Sequence, residues 1–222
     1  MSSGSSKSGG RRAGGTFLAM TDADAQQLRD DVDDMYTSDV VDAIKNYISN
    51  SNPNGDGFSH SQNLNYKLDN GIALNATEAF IDNNIQAGMH SLGNGVQLTR
   101  GCHDDLLKTM GISDYSKMSE SQLKKQLVGT KLQTTSYMST SYDVSKNPFL
   151  SSSSAVSGGR EVVMKINAKS SVKGVFGAKS QAEIVLNKGT NITIKNIYYD
   201  GTYATPRGKG MKPRVVIEVE AS

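Results

Sequence analysis

The chain has 222 residues, with 24 Lys+Arg against 22 Asp+Glu, one cysteine and no tryptophan. Its length suits one domain with a core of its own. The lone Cys102 excludes an internal disulfide or a cysteine zinc cluster, the scattered His60, His90 and His103 argue against a histidine metal site, and a net charge of +2 argues against general nucleic-acid binding.

Residues 1–20 begin with MSSGSSKSGGRRAGG, which has a basic flank but no apolar stretch of a signal peptide. They read as a flexible lead or linker. A single domain is expected over 21–222, with a helical part at 21–95 and a β core at 96–222. The longest apolar runs are far too short for a membrane span, so no membrane insertion is expected.

Residues 21–48 are acidic and helical in pattern, with Thr21 or Asp22 as the cap. Leu28, Val32, Met35 and Tyr36 fall at helical spacing, as do Val40, Ile44 and Ile48. Residues 49–71 are rich in Asn, Gly and Ser and read as a loop with a short helical piece around Leu64 and Leu68. A second clear helix is expected over 75–90, where Asn75 and Glu78 have capping-box spacing. Strand patterns then dominate, at 96–100, 136–141, 160–168, 182–187, 191–200 and 214–221. Helices intervene within 103–128, the clearest starting at Ser119. The segments 143–159, 173–180 and 201–213 read as loops. Helices followed by strands indicate an α+β fold. No G-x-G-x-x-G opens a helix and no Walker loop is present.

Three short motifs lie at strand positions. Arg100 ends VQLTR and precedes Gly101. Its planar fork suits a phosphate, or it is simply a surface arginine at a strand end. Tyr137-Met138-Ser139-Thr140-Ser141 places Ser139 and Ser141 on one face and Thr140 on the other. These hydroxyls either orient a carboxylate or ligand, or belong to an ordinary edge strand. Gln181-Ala182-Glu183 sets an amide and a carboxylate two apart. A fixed carboxylate there stabilises a developing oxocarbenium ion, or the motif is a polar strand start.

The order Arg, Ser-Thr-Ser, Gln-x-Glu, each about forty residues after the last, resembles the mono-ADP-ribosyltransferases of the clostridial toxin type. Gln in the last motif resembles the Rho-modifying exoenzyme subgroup. The likeness covers roughly residues 40–221, including LTRG, QAEIVL, GREVVMKI, AIKNYISNS and QNLNYKL. It implies an N-terminal helical layer on two antiparallel sheets that form an NAD cleft. It implies transfer of ADP-ribose from NAD, as substrate and without a metal, to a side chain of a target protein.

The same resemblance implies roles for individual residues. Arg100 holds the cofactor phosphates beside Gly101, Ser139 positions Glu183, and Thr140 and Ser141 shape the pocket floor. Glu183 stabilises the cationic sugar as nicotinamide leaves. Phe149 and Arg160 clamp nicotinamide and phosphate, and Asn65 and Lys67 bind the cofactor from the helix-and-loop segment that closes one side of the cleft. Gln181 orients the acceptor, with Phe176 on the preceding loop. Where the family usually has an arginine after the Asn-x-x-Leu segment, this chain has Asp69. Gln181, an amide, argues against an arginine acceptor. The resemblance further implies a toxin or phage-borne effector domain acting in the cytoplasm of the producer or of a target cell. Two other readings of the same residues are a NAD glycohydrolase and a silent binding module of the same fold.

Overall fold

The computed structural model describes residues 18–93, 95–103, 105–150, 161–203 and 212–222. A two-residue strand β1 (Leu18–Ala19) leads into α1 (Asp22–Asp33). The Thr21 hydroxyl accepts the Asp24 amide, and the Asp24 carboxylate accepts the Thr21 amide in return. The helical pattern of 21–48 is not one helix. Thr37 accepts the Val40 amide at 3.3 Å and starts α2 (Ser38–Ile48) afresh. The two apolar sets therefore serve different cores: Ala25 and Val32 join one, and Val40, Ala43, Ile44 and Tyr47 join another.

The capping boxes of Ser59 with Gln62 and of Asn75 with Glu78 open α3 (His60–Asp69) and α4 (Ala76–Gly88). Strands β2 (His90–Ser91) and β3 (Val96–Cys102) follow, then α5 (Asp105–Thr109) and α6 (Glu120–Leu127), capped by Ser119. The rest is β: β4 (Lys131–Gln133), β5 (Met138–Ser141), β6 (Val162–Ala168), β7 (Lys173–Phe176), β8 (Glu183–Leu186), β9 (Asn191–Asp200) and β10 (Arg214–Ala221). The fold is α+β, as the order of helices and strands predicts.

The strands form one path, β2-β7-β8-β5-β3-β6-β10-β9-β4, with β1 beside β3. It divides into two halves. β2, β7, β8 and β5 pair antiparallel throughout. The larger half is mixed, because β10 runs parallel to β6 and β1 parallel to β3. The halves meet between β3 and β5, where the register holds a single pair, Thr99 with Ser141. The expected pair of antiparallel sheets is thus two half-sheets joined at one point.

Alternation along β8 explains the layering. Ile184 and Leu186 face a core shared with Leu98, Ile166, Ile217 and Val219 of the larger half. Val185 faces the other way, onto α2, α3 and α4, with Val175 and Tyr137. Among the described residues, no helix is long and apolar enough to cross a membrane.

The end of α4 passes so close to α2 that a Cβ on Gly88 would lie 2.6 Å from Val40 Cγ1. A valine methyl on a buried helix face has little room to yield. We expect Gly88→Ala to destabilise the protein by about 1–3 kcal/mol despite alanine's better helix propensity. A lowered urea midpoint with unchanged m-value checks this.

Candidate active site

A cleft of ≈ 1460 Å³ lies over the seam between the half-sheets. Tyr47, Asn65, Arg100, Ser139, Gln181 and Glu183 all line it. Arg100 directly follows Thr99 of the seam, and Glu183 pairs with Ser141. The three motifs, far apart in sequence, thus converge on one point of the sheet.

Glu183 is only 8 % exposed although it lines the cleft. A buried carboxylate needs hydrogen bonds. The Ala178 amide donates to Oε2 at 3.0 Å. The main chain closes the same turn, with Gly177 N–H donating to Glu183 O at 3.0 Å and Glu183 N–H to Ala178 O at 3.1 Å. Gly177 is required for space: a Cβ there would stand 2.7 Å from the Glu183 carboxyl carbon. Between them runs a 3₁₀ turn (Lys179–Gln181), and Ala182 takes a left-handed conformation at φ 47°. Left-handed backbone is costly for a residue with a Cβ, and the turn's contacts hold it.

The hydroxyls of the Ser-Thr-Ser strand divide their labour. Ser141 has one proton and lies 2.8 Å from the carbonyls of both Gln181 and Asp143. It tethers the turn that carries Gln181. Thr140 is buried on the opposite face and donates to Ile184 O at 2.7 Å, so it stitches β5 to β8. All three residues contribute to the lining of the cleft. The Ser139 carbonyl accepts from Arg100 Nη1 at 2.7 Å, which fixes the guanidinium.

Tyr47 went unsingled in the sequence. It is buried under the cleft, and its hydroxyl accepts from Asn65 Nδ2 at 3.0 Å. Burial pushes its phenol pKa up, while hydrogen bonds from Asn65 and Ser139 and the Arg100 charge act the other way. The sequence signal was a tyrosine at a core position of α2, where the ring is apolar but the hydroxyl needs a partner.

The helix-and-loop side of the cleft is built from α3 and its contacts. Asn65 lines the cleft, but its amide brackets the backbone of Tyr137, donating to the carbonyl at 3.2 Å and accepting the N–H at 3.3 Å. Lys67 also lines the cleft, with Nζ 2.7 Å from Glu78 Oε2, so its charge is engaged by the α4 cap. Asp69, where an arginine is usual, accepts from the Thr135 hydroxyl. Gly101 and Phe149 line the cleft, and Phe149 is 46 % exposed. Arg160 lies outside the described residues.

Phe176 differs from the sequence expectation. It is not on the loop before Gln181. Lys173–Phe176 is strand β7, with Phe176 in register with Ile184. Pairing turns the ring inward to 5 % exposure, between Arg29 and His90. A side chain so placed cannot meet an acceptor in the cleft. Among the described residues, no group of three or more His, Cys, Asp or Glu is placed to hold a metal ion.

Comparison with known proteins bears on the family and the fold. A family model described as ADP-ribosyltransferase exoenzyme matches residues 18–218. No curated protein sequence matches the chain. Among solved structures, the ADP-ribosylating toxin BECa of C. perfringens, determined with NADH, aligns at a TM-score of 0.65 and 17 % identity over 90 % of this chain and 48 % of its own. An ADP-ribosyltransferase of Clostridium botulinum aligns at 0.61 and 17 %, over 93 % and 98 %. C3stau2 of S. aureus, determined with NAD, aligns at 0.64 and 15 %, over 95 % and 99 %. The chain thus spans about half of BECa and nearly all of the other two proteins. At these identities the structures establish a shared fold, and the family model places the chain: it belongs to the ADP-ribosyltransferase exoenzyme family.

Proposed function

We propose that the protein transfers ADP-ribose from NAD to a side chain of a target protein, releasing nicotinamide. The observation that carries this reading is Glu183. Its carboxylate is withdrawn from water, held by the Ala178 amide, and set in one cleft with Arg100 and Ser139. Nicotinamide leaves a C–N glycosidic bond through a cationic sugar. A fixed carboxylate in a site of low dielectric stabilises that cation most where its charge is greatest. Arg100 commits one N–H to the Ser139 carbonyl, which orients the fork for the diphosphate. Gln181 stands at the cleft on a turn tethered through its own carbonyl, a suitable place to orient an acceptor.

The match to C3stau2, a structure with NAD, supports NAD as the donor. The match to BECa, an ADP-ribosylating toxin, supports ADP-ribose transfer and a toxin or effector role. The reading places the reaction in a cytoplasm, where NAD and a protein acceptor meet. Incubation with labelled NAD and a cell lysate, followed by mass spectrometry of the modified residue, tests it directly. Nicotinamide release without any labelled protein would favour hydrolysis over transfer.

Three variants probe the parts separately. Glu183→Gln keeps size but removes charge, and should lower nicotinamide release at least about a hundredfold. Retained turnover would sink the assignment. Gln181→Ala should leave NAD hydrolysis intact while protein labelling falls; equal loss of both would remove Gln181 from the acceptor side. Gly177→Ala forces the Glu183 carboxyl out of place, and displacement on the scale of 1 Å costs up to about a hundredfold in rate. Its circular dichroism should match that of the parent.

A further inference from the structure

Arg29 lies on α1, outside the residues that line the cleft, yet it is only 8 % exposed. Its guanidinium carbon sits 4.5 Å from the centre of the Phe176 ring, and Nη2 donates to the Gly177 carbonyl at 3.2 Å. Burying a guanidinium is costly unless it is bonded and stacked. Burial pulls the Arg29 pKa down, and Tyr142, Asp33, Tyr36 and Glu183 counter it. The Glu183 carboxylate is thus among the charges that act on this cation.

The carbonyl that Arg29 grips belongs to one planar group with the Ala178 N–H. That N–H is the donor to Glu183 Oε2. Arg29 and Glu183 therefore hold opposite ends of a single peptide unit. A cation on the oxygen polarises the unit and strengthens the N–H as a donor, as in any hydrogen-bonded chain. Rotation of that peptide would lose both bonds together.

The rest of the helix face reinforces the grip. Asp22, Gln26 and Arg29 are spaced to lie on one side of α1. Gln26 accepts from Lys179 Nζ at 3.1 Å, within the 3₁₀ turn. Asp22 accepts from Lys146 Nζ at 2.7 Å and from the Tyr142 hydroxyl at 3.2 Å, on the segment that follows β5. One helix face thus clasps the chain just after the Ser-Thr-Ser motif and just before the Gln-x-Glu motif.

We infer that Arg29 is a positioning residue for ADP-ribosyl transfer, acting on Glu183 through the Gly177–Ala178 peptide. The inference rests on the function proposed above and adds a residue that does not itself line the cleft.

The test uses Arg29→Met, which keeps the aliphatic volume, and Arg29→Lys, which keeps the charge without the fork. Two readouts are needed: steady-state NAD cleavage and the NMR shift of the Ala178 amide proton. Arg29→Met should lower kcat about tenfold or more and leave KM for NAD within about twofold, since substrate binding is untouched. The Ala178 amide proton should move upfield as its hydrogen bond weakens. Arg29→Lys should lose less turnover than Arg29→Met. A folded Arg29→Met with parental kcat, a rise in KM alone, or an unmoved Ala178 proton would overturn the inference. If Arg29→Met does not fold, Arg29→Lys decides by the same readouts, and parental values for both refute it. Parental protein that cleaves no NAD would refute the proposed function instead, and the Ala178 shift would then decide whether Arg29 governs the Glu183 turn.

Discussion

A carboxylate taken out of water must be satisfied by donors that do not move, and much of the smaller half-sheet serves that need. Glu183 sits at the start of β8, where Val185 on the same face is already inside the helical core. The strand cannot slide, because a one-residue slip would send Ile184 and Leu186 toward the helices and Glu183 into the sandwich core. The turn that supplies the Ala178 amide is held by five main-chain and side-chain bonds within seven residues. Ser141 ties it from one side and Arg29 from the other. Position is thus built into the backbone before any ligand arrives, the condition for electrostatic stabilisation without reorganisation.

The seam between the half-sheets explains why the motifs meet. A continuous ladder between β3 and β5 would fill the space with paired backbone. Instead one pair, Thr99 with Ser141, joins the halves. Asn147 reinforces it, with its amide 3.4 Å from the Thr99 carbonyl and 3.3 Å from the Thr99 hydroxyl. The strands diverge from that point, and the cleft occupies the divergence. Arg100, Ser139 and Glu183 line it. The two cores lie on either side of β8, so apolar packing supports the site from both faces.

Much of this was legible in the sequence. Caps at Thr21, Asn75 and Ser119 follow local rules that depend on a few adjacent atoms. The long strands β9 and β10 appear at 191–200 and 214–221 because period-2 alternation and β-branched residues persist there. The motif residues were legible as a pattern, and the sheet brings Arg100, Ser139 and Glu183 to one cleft. What failed was local reading of short segments. KGVF at 173–176 has glycine and lysine at its start and reads as loop, yet pairing with β8 makes it a strand and buries Phe176. The break at Thr37 is invisible to a periodicity that continues across it. Arg29 stands in an acidic helix, and nothing near it in sequence marks its partners, Phe176 and Gly177, which are about 150 residues away. Tertiary contact decided each of these, and no window of sequence contains it.

The backbone at Ala182 carries a meaning for the motif itself. Written Gln-x-Glu, the motif leaves its middle letter open. Here that letter is held in a left-handed conformation with no exposed surface. A bulky side chain has neither room nor a comfortable backbone there, and a β-branched one would be worse on both counts. Glycine would accept the conformation but widen the unfolded ensemble, and the turn would lose some of its stiffness. The apparently silent position is therefore restricted to the smallest residues. It acts as the pivot that turns the amide of Gln181 and the carboxylate of Glu183 toward the same opening.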